Sequence, residues 1–219
     1  MAPAWMCWSS GKDSAMALHV AREQGVDVTG LLTTVNADAD RVAMHAVRRE
    51  LLEAQAERLG LPLQVVEIPS PCPNEVYEAA MLDAITTARN DDVGAMVFGD
   101  LFLADIRAYR EKMLRGTGIE PCFPLWERPT ASLASDMLDA GVRAVLTCVD
   151  PRVMPRNLAG RAFDRRLLSE LPPGVDPCGE LGEFHTFCLD APGFSSPIGV
   201  SRGVVVERDG FVFADLLPV

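Results

Sequence analysis

Lysine is almost missing from this chain: of its 20 basic residues only Lys12 and Lys112 are lysines, the rest being arginines. Against 31 acidic residues they leave a net charge of −11. Such a chain is repelled on average by nucleic acid and by anionic membrane, so either partner would need a local basic patch. Histidine is scarce, with three in the chain, and the six cysteines (Cys7, Cys72, Cys122, Cys148, Cys178 and Cys188) include no C-x-x-C pair. No zinc-ligand spacing remains. The cysteines read as reduced, mostly buried thiols of a cytoplasmic protein. No basic stretch followed by an apolar run opens the chain, and no apolar segment reaches membrane-spanning length, so neither a signal peptide nor a membrane partner is expected. Internal repeats and low-complexity segments are lacking as well.

What is there is an ordinary globular composition, 48% hydrophobic and 23% charged over 219 residues, enough to bury a core as one large domain or two small ones. Strand-like and helix-like stretches alternate. An apolar run at Trp5–Trp8 leads into a helix over 14–24 that stops at Gly25. Val28–Thr34 is β-branched and apolar, and Asn36–Asp40 is a polar turn. Met44, Val47, Leu51 and Ala54 then recur at helical spacing, predicting a helix from Met44 that ends at Gly60. Strands at 63–68 and 95–98 bracket a helix over 75–89. This alternation predicts a parallel sheet covered by helices and built from right-handed crossovers. Ligands of such folds lie at the carboxyl ends of the strands, here Ser9–Ser14, Thr33–Asn36 and Gly99–Asp100. Beyond a break at Pro121–Trp126, the pattern predicts a helix over 131–140 with Thr130 as N-cap and a strand over 143–149. Extended chain follows at 184–189, then a hairpin about Asp209-Gly210. Residues 152–166 hold five arginines against one acid, the one basic concentration in the chain.

The stretch from Trp5 to Ser14 organises the chemistry. A buried strand, a Ser/Gly turn and a helix start bring backbone N–H groups and the positive end of a helix dipole to one point, and Lys12 adds a full charge there. The Walker A loop does not fit, because Met6 stands where its first Gly belongs and Asp13 follows the Lys in place of Ser or Thr. Ser9-Ser10-Gly11-Lys12-Asp13-Ser14 matches instead the Ser-Gly-Gly-Lys-Asp-Ser signature of PP-loop ATP pyrophosphatases, with Ser10 in place of the first Gly. A loop of that kind holds the leaving pyrophosphate of ATP and exposes the α-phosphate to attack, so Lys12→Ala is expected to keep the fold and lose most turnover. Asp13 offers one carboxylate to Mg²⁺ or, equally, caps the first helical turn. Ser10 carries a Cβ at a turn position that Gly occupies more comfortably.

A second constellation is Gly179-Glu180-Leu181-Gly182-Glu183-Phe184-His185-Thr186. Two glycines beside two carboxylates and an imidazole suit the binding of an amine, the orientation of ammonia or a proton transfer, with His185 titrating near neutrality. The bland alternative is a polar turn leading into a strand. His45 is expected either to face the nucleotide or to serve the structure, and Asp105, Arg107, Arg110 and Glu111 either to clamp an anionic substrate or phosphate or to form a charged helix face.

On these stretches, with the Met44-His45 pair, Gly99-Asp100 and Pro124-Leu125-Trp126, the sequence resembles the diphthine–ammonia ligase family of PP-loop ATP pyrophosphatases over nearly its whole length, and within it the bacterial branch. The resemblance implies a Rossmann-like (HUP-type) α/β unit with helices on both faces over residues 1–126, followed by a smaller α+β unit over 127–219 that carries the Gly-Glu motif. It implies AMP-forming activation of a carboxylate, on a small molecule or a protein side chain, followed by amidation with ammonia. ATP and Mg²⁺ are then the cofactors, Ser9 through Ser14 grip the phosphates, and Glu180, Glu183 and His185 line the acyl-adenylate side. Thr33, His45, Gly99 and Asp100 complete the nucleotide side. A homodimer is admitted, and nucleic acid is disfavoured. In this sequence His185 replaces the Glu usual in archaeal and eukaryotic members. Two other readings share the fold: an ATP or AMP sensor without turnover, and a tRNA-modifying enzyme, which only the arginine run favours.

Overall fold

The computed structural model describes residues 2–219. Six strands make the first sheet: β1 (Ala4–Cys7), β2 (Val28–Asn36), β3 (Arg41–Val42), β4 (Leu63–Ile68), β5 (Ala95–Val97) and β6 (Glu120–Cys122). Across the sheet the parallel strands run β4-β2-β1-β5-β6. The short β3 lies antiparallel on the edge of β2 that β1 has left. Parallel neighbours need crossovers, which α1 (Lys12–Glu23), α2 (Arg49–Leu59), α3 (Asn74–Asn90) and α4 (Ala104–Leu114) supply. One face of the sheet buries Trp5, Leu32 and Met96 against Met81 and Ile85 of α3. The other buries Met6 and Leu31 against Leu18 of α1 and Leu51 of α2. The expected α/β class, a largely parallel sheet flanked by helices, is what the chain adopts.

After α5 (Thr130–Asp139) comes a second, antiparallel sheet: β7 (Arg143–Val149), β8 (Ala162–Phe163), β9 (Phe184–Asp190), β10 (Val200–Arg208) and β11 (Phe211–Pro218), with α6 (Arg165–Glu170) between β8 and β9. β9 pairs along the full length of β7, while β8 and β11 divide the other edge. Leu146 and Phe187 of this sheet belong to the same apolar cluster as Met6 and Leu18, so α1 is buried between the two sheets.

Three local expectations need correction. The helix predicted from Met44 begins at Arg49: Met44 and Ala46 have left-handed backbone (φ 64° and 55°), and the chain turns tightly between β3 and α2. Met44 is 72% exposed, so its helical spacing was coincidental. Thr130 is the first helical residue of α5 rather than its N-cap, which is Pro129. The break at Pro121–Trp126 also contains β6, a strand too short and proline-bearing to announce itself.

Candidate functional site

A cavity of about 480 Å³ opens at the carboxyl ends of β1, β2, β4 and β5, where Cys7, Thr34, Ile68 and Phe98 meet it. The first turn of α1 lies against it through Asp13 and Ser14. Local sequence explains that placement. Gly11, extended at the N-cap of α1, leaves room for an imidazole: a Cβ there would come within 2.8 Å of His45 Cε1. At Gly99 a Cβ would sit 3.1 Å from the backbone of Asp13 and Ser14, so glycine lets the end of β5 close directly onto the helix start. The amides that open a helix have no intrahelical acceptor. That of Lys12 donates to Thr186 Oγ1 at 3.1 Å, while Asp13 and Ser14 themselves line the cavity. With the helix dipole behind it, this helix start suits an anion such as phosphate.

Of the N-terminal candidates, Ser9, Asp13, Ser14, His45, Gly99 and Asp100 line this cavity, and from the distant Gly-Glu segment Glu180 and His185 join them. Five other expected site residues stand behind the wall. Lys12 is 1% exposed; its ammonium donates to both Asp13 oxygens at 2.8 and 2.9 Å and to the Cys178 carbonyl, over the rings of Phe184 and Phe163. Ser10, fully buried at φ 67°, leaves its hydroxyl without a partner, which is the strain anticipated from placing Ser where Gly is comfortable. Gly11 serves packing. Thr33 donates to the Trp8 carbonyl at 2.7 Å and borders only a smaller recess of about 120 Å³; strand alternation turns its neighbour Thr34 toward the main cavity instead. Glu183 accepts from the Asp176 amide at 2.9 Å and closes its own loop.

The electrostatics of the wall follow from burial. Burial, then its carboxylate neighbours Asp13 and Asp100, pushes Glu180 up to about 7, against the pull of the Leu101 N–H, which its Oε1 accepts at 2.8 Å, and of Lys12. Asp100 is raised for the same first reason, despite Arg110, whose Nε lies 3.6 Å away. Burial pulls the Lys12 ammonium down, but Asp13 and Cys178 more than restore it. His45 is lowered by burial. Its Nδ1–H donates to the Thr186 carbonyl at 2.9 Å, which leaves Nε2 with a lone pair. His185, 4.7 Å from His45 ring to ring, is driven to about 3 by burial, then by His45 and Lys12. The expectation that His185 titrates near neutrality is therefore corrected: at neutral pH it is an uncharged imidazole.

Of the charged group on α4, which the sequence offered as an anion clamp, Arg110 lines the cavity, while Arg107 stacks on Phe123 and Trp126 at 4.8 and 4.7 Å. Other residues at the site were given no role from the sequence. Tyr77 lines the cavity. Thr186 ties His45 and the start of α1 to β9. Gln55, fully buried on α2, accepts from Trp8 Nε1 (2.8 Å) and donates to the carbonyls of Ser10 (3.0 Å) and Cys188 (2.7 Å). A lone Gln facing inward on an otherwise amphipathic helix was the only available signal.

Among the described residues no group of three or more His, Cys, Asp or Glu is arranged to hold a metal ion, and no helix is long and apolar enough to cross a membrane. All six cysteines are free thiols, Cys148, Cys178 and Cys188 buried and the others partly so. The five arginines of the basic run are each paired with an acid: Arg152 with Asp150, Arg156 with Glu207, Arg165 with Asp139, and Arg161 and Arg166 with Glu170.

The diphthine–ammonia ligase of Schizosaccharomyces pombe is 25% identical over 91% of this chain, which spans only 36% of that protein's length. The Homo sapiens diphthine–ammonia ligase is 27% identical over 94% of this chain and 85% of its own. A solved structure, the U34-tRNA thiolase NcsA from Methanococcus maripaludis with its [4Fe-4S] cluster, aligns over 63% of this chain and 57% of that one at 15% identity and a TM-score of 0.38, too slight a likeness to argue from. Family models for the diphthamide synthase N-terminal domain and the diphthamide synthase C-terminal domain match residues 3–121 and 129–212. The chain belongs to the diphthamide synthase family.

Proposed function

We propose that this protein is an ATP-dependent ligase that adenylates a carboxylate, releases pyrophosphate and amidates the acyl adenylate with ammonia. In this reading residues 1–126 form the nucleotide side and 127–219 the substrate side. The observation that carries it is the convergence of Glu180 and His185 with the opening turn of α1 on one cavity. ATP fits this wall as substrate: the helix-start amides and Arg110 suit its phosphates, and about 480 Å³ is within the range of small-molecule sites. A substrate carboxylate oxygen attacks the α-phosphorus, and the bond to the β-phosphate oxygen breaks. Ammonium then loses a proton, its nitrogen attacks the acyl carbon, the bond to AMP breaks, and a second proton leaves the new amide. Glu180 serves as the base for the first of these protons. Neutral His45, with a free Nε2, accepts a hydrogen bond from the nucleotide or the incoming amine.

Asp13, the expected magnesium ligand, does not fit direct ligation, because Lys12 occupies both of its oxygens. Asp100 is the better candidate, since its Oδ2 accepts no hydrogen bond and its one cationic neighbour, Arg110 Nε, stands off at 3.6 Å. Mg²⁺ commonly takes one or two carboxylates together with substrate phosphates and water. Held by Asp100, it would offset the charge on the departing pyrophosphate.

The test is product analysis with ATP, Mg²⁺, ammonium and a panel of carboxylates. AMP with pyrophosphate is expected; ADP with phosphate would overturn the mechanism. A base that ionises at about 7 makes amidation climb as pH rises through that value, its carboxylate being protonated and idle below it. In Glu180→Gln that limb of the pH profile should vanish and turnover fall about a hundredfold or more. An unchanged limb would assign the base elsewhere.

A further inference from the structure

Beside the first cavity lies a second, of about 290 Å³, and Ala43, Met44 and His185 line both. The second sheet builds its far wall: Phe211 and Phe213 of β11, Arg208 of β10 and Cys148 of β7. Three charged residues border it, Arg41, Arg208 and Asp209. Arg41 is committed elsewhere, donating to the Ala46 carbonyl at 2.8 Å and to Asp215 at 2.9 Å. Asp209 stands on the hairpin turn, in left-handed backbone (φ 53°). Arg208 has its guanidinium over the Phe213 ring, 5.6 Å from the centroid, and forms no ion pair among the described residues. An aromatic face orients a guanidinium without using up its N–H donors, so Arg208 is ready for an incoming anion.

We propose that this second cavity receives the body of the carboxylate substrate and that Arg208 binds a further anionic group on it. The substrate class is then an acid with two anionic groups joined by a short apolar stem, a dicarboxylate or a phosphorylated acid. This rests on the ligase reading above: one carboxylate passes His185 to reach the nucleotide, and the stem spans the cavity between His185 and Arg208. His185, uncharged, neither repels nor traps the passing carboxylate. An acid with a quaternary ammonium at its far end suits the cavity poorly, because Arg208 already covers the Phe213 face that such a cation would need and repels it as well.

Titration calorimetry at saturating AMP separates these substrates, using four probes of similar length: glutarate, 3-phosphonopropanoate, pentanoate and 4-(trimethylammonio)butanoate. Glutarate or the phosphonate should bind about tenfold tighter than pentanoate, equivalent to about 1.4 kcal/mol, and the ammonium acid most weakly. Whichever dianion binds better names the second group. Arg208→Gln, a change on an exposed side chain, should bring the dianions down to the pentanoate level, with AMP affinity measured in the same experiment as the control for folding. Equal affinity for dianions and pentanoate, tightest binding of the ammonium acid, or a preference that survives Arg208→Gln would each overturn the assignment. Failure of the ligase reading looks different: the dianions would still bind through Arg208, but no acid would release pyrophosphate from ATP.

Discussion

A buried ammonium must find partners, and at the residue scale Lys12 shows how completely this one is enclosed by Asp13, the Cys178 carbonyl and two aromatic rings. Removing it strands a carboxylate that is itself only 24% exposed and leaves a carbonyl unpaired. Breaking a buried pair in this way costs about 3 kcal/mol or more. Lys12→Ala should therefore lower the denaturant midpoint as well as turnover, in contrast to the purely catalytic loss expected from the motif. A midpoint equal to that of the parent would return Lys12 to the role of a phosphate grip alone. The same scale explains why the wall is so weakly charged for its composition. Two imidazoles are held neutral and one carboxyl is raised to about 7, all by burial first.

At the scale of elements, the site depends on β9 being fastened to the turn before α1. The Cys188 amide donates to the Ser10 carbonyl at 2.9 Å, the Lys12 amide to Thr186 Oγ1, and Gln55 bridges Ser10 and Cys188 from α2. Gln55→Leu keeps the volume but leaves the Trp8 indole N–H and the Cys188 carbonyl without this partner. At about 1–3 kcal/mol per stranded buried group, the melting temperature should fall by several degrees. Because the loop loses its tether to α2, affinity for ATP should weaken too, measured by titration on the folded variant. A drop in melting temperature with unaltered ATP affinity would confine Gln55 to stability. None of this stitching could be read from local pattern. The strands themselves could: β4 and β7 occupy the stretches predicted for them, because a β-branched run between a turn and a helix has few other uses. Where an apolar residue served another end, as at exposed Met44, periodicity misled.

Over the whole molecule the net charge of −11 sets the expectations for partners. The arginine run looked like the exception in the sequence, yet folding brings Asp139, Asp150, Glu170 and Glu207 against it. A face whose charges are already matched releases few counterions from RNA. Neutralising Arg161, Arg165 and Arg166 should accordingly leave tRNA mobility in a gel shift unaltered at low salt. A salt-sensitive shift abolished by those changes would revive an RNA-modifying role. The two sheets share one apolar cluster around α1, so the parallel and the antiparallel sheet meet across a packed core.

What the sequence by itself determined was the backbone path: alternating strands and helices, a Ser/Gly turn between β1 and α1, and therefore a cavity at the carboxyl edge of a parallel sheet. Those are consequences of local preference and of the handedness of crossovers, which act over a few residues or one crossover unit. Only the tertiary structure decided which side chains face the site. Whether Lys12 points into the cavity or away from it depends on Cys178, 166 residues along the chain, and whether His185 is charged depends on how deeply β9 is buried beside His45. Contacts of that range leave no period or spacing in the sequence, because they are set by packing and desolvation after the elements have formed.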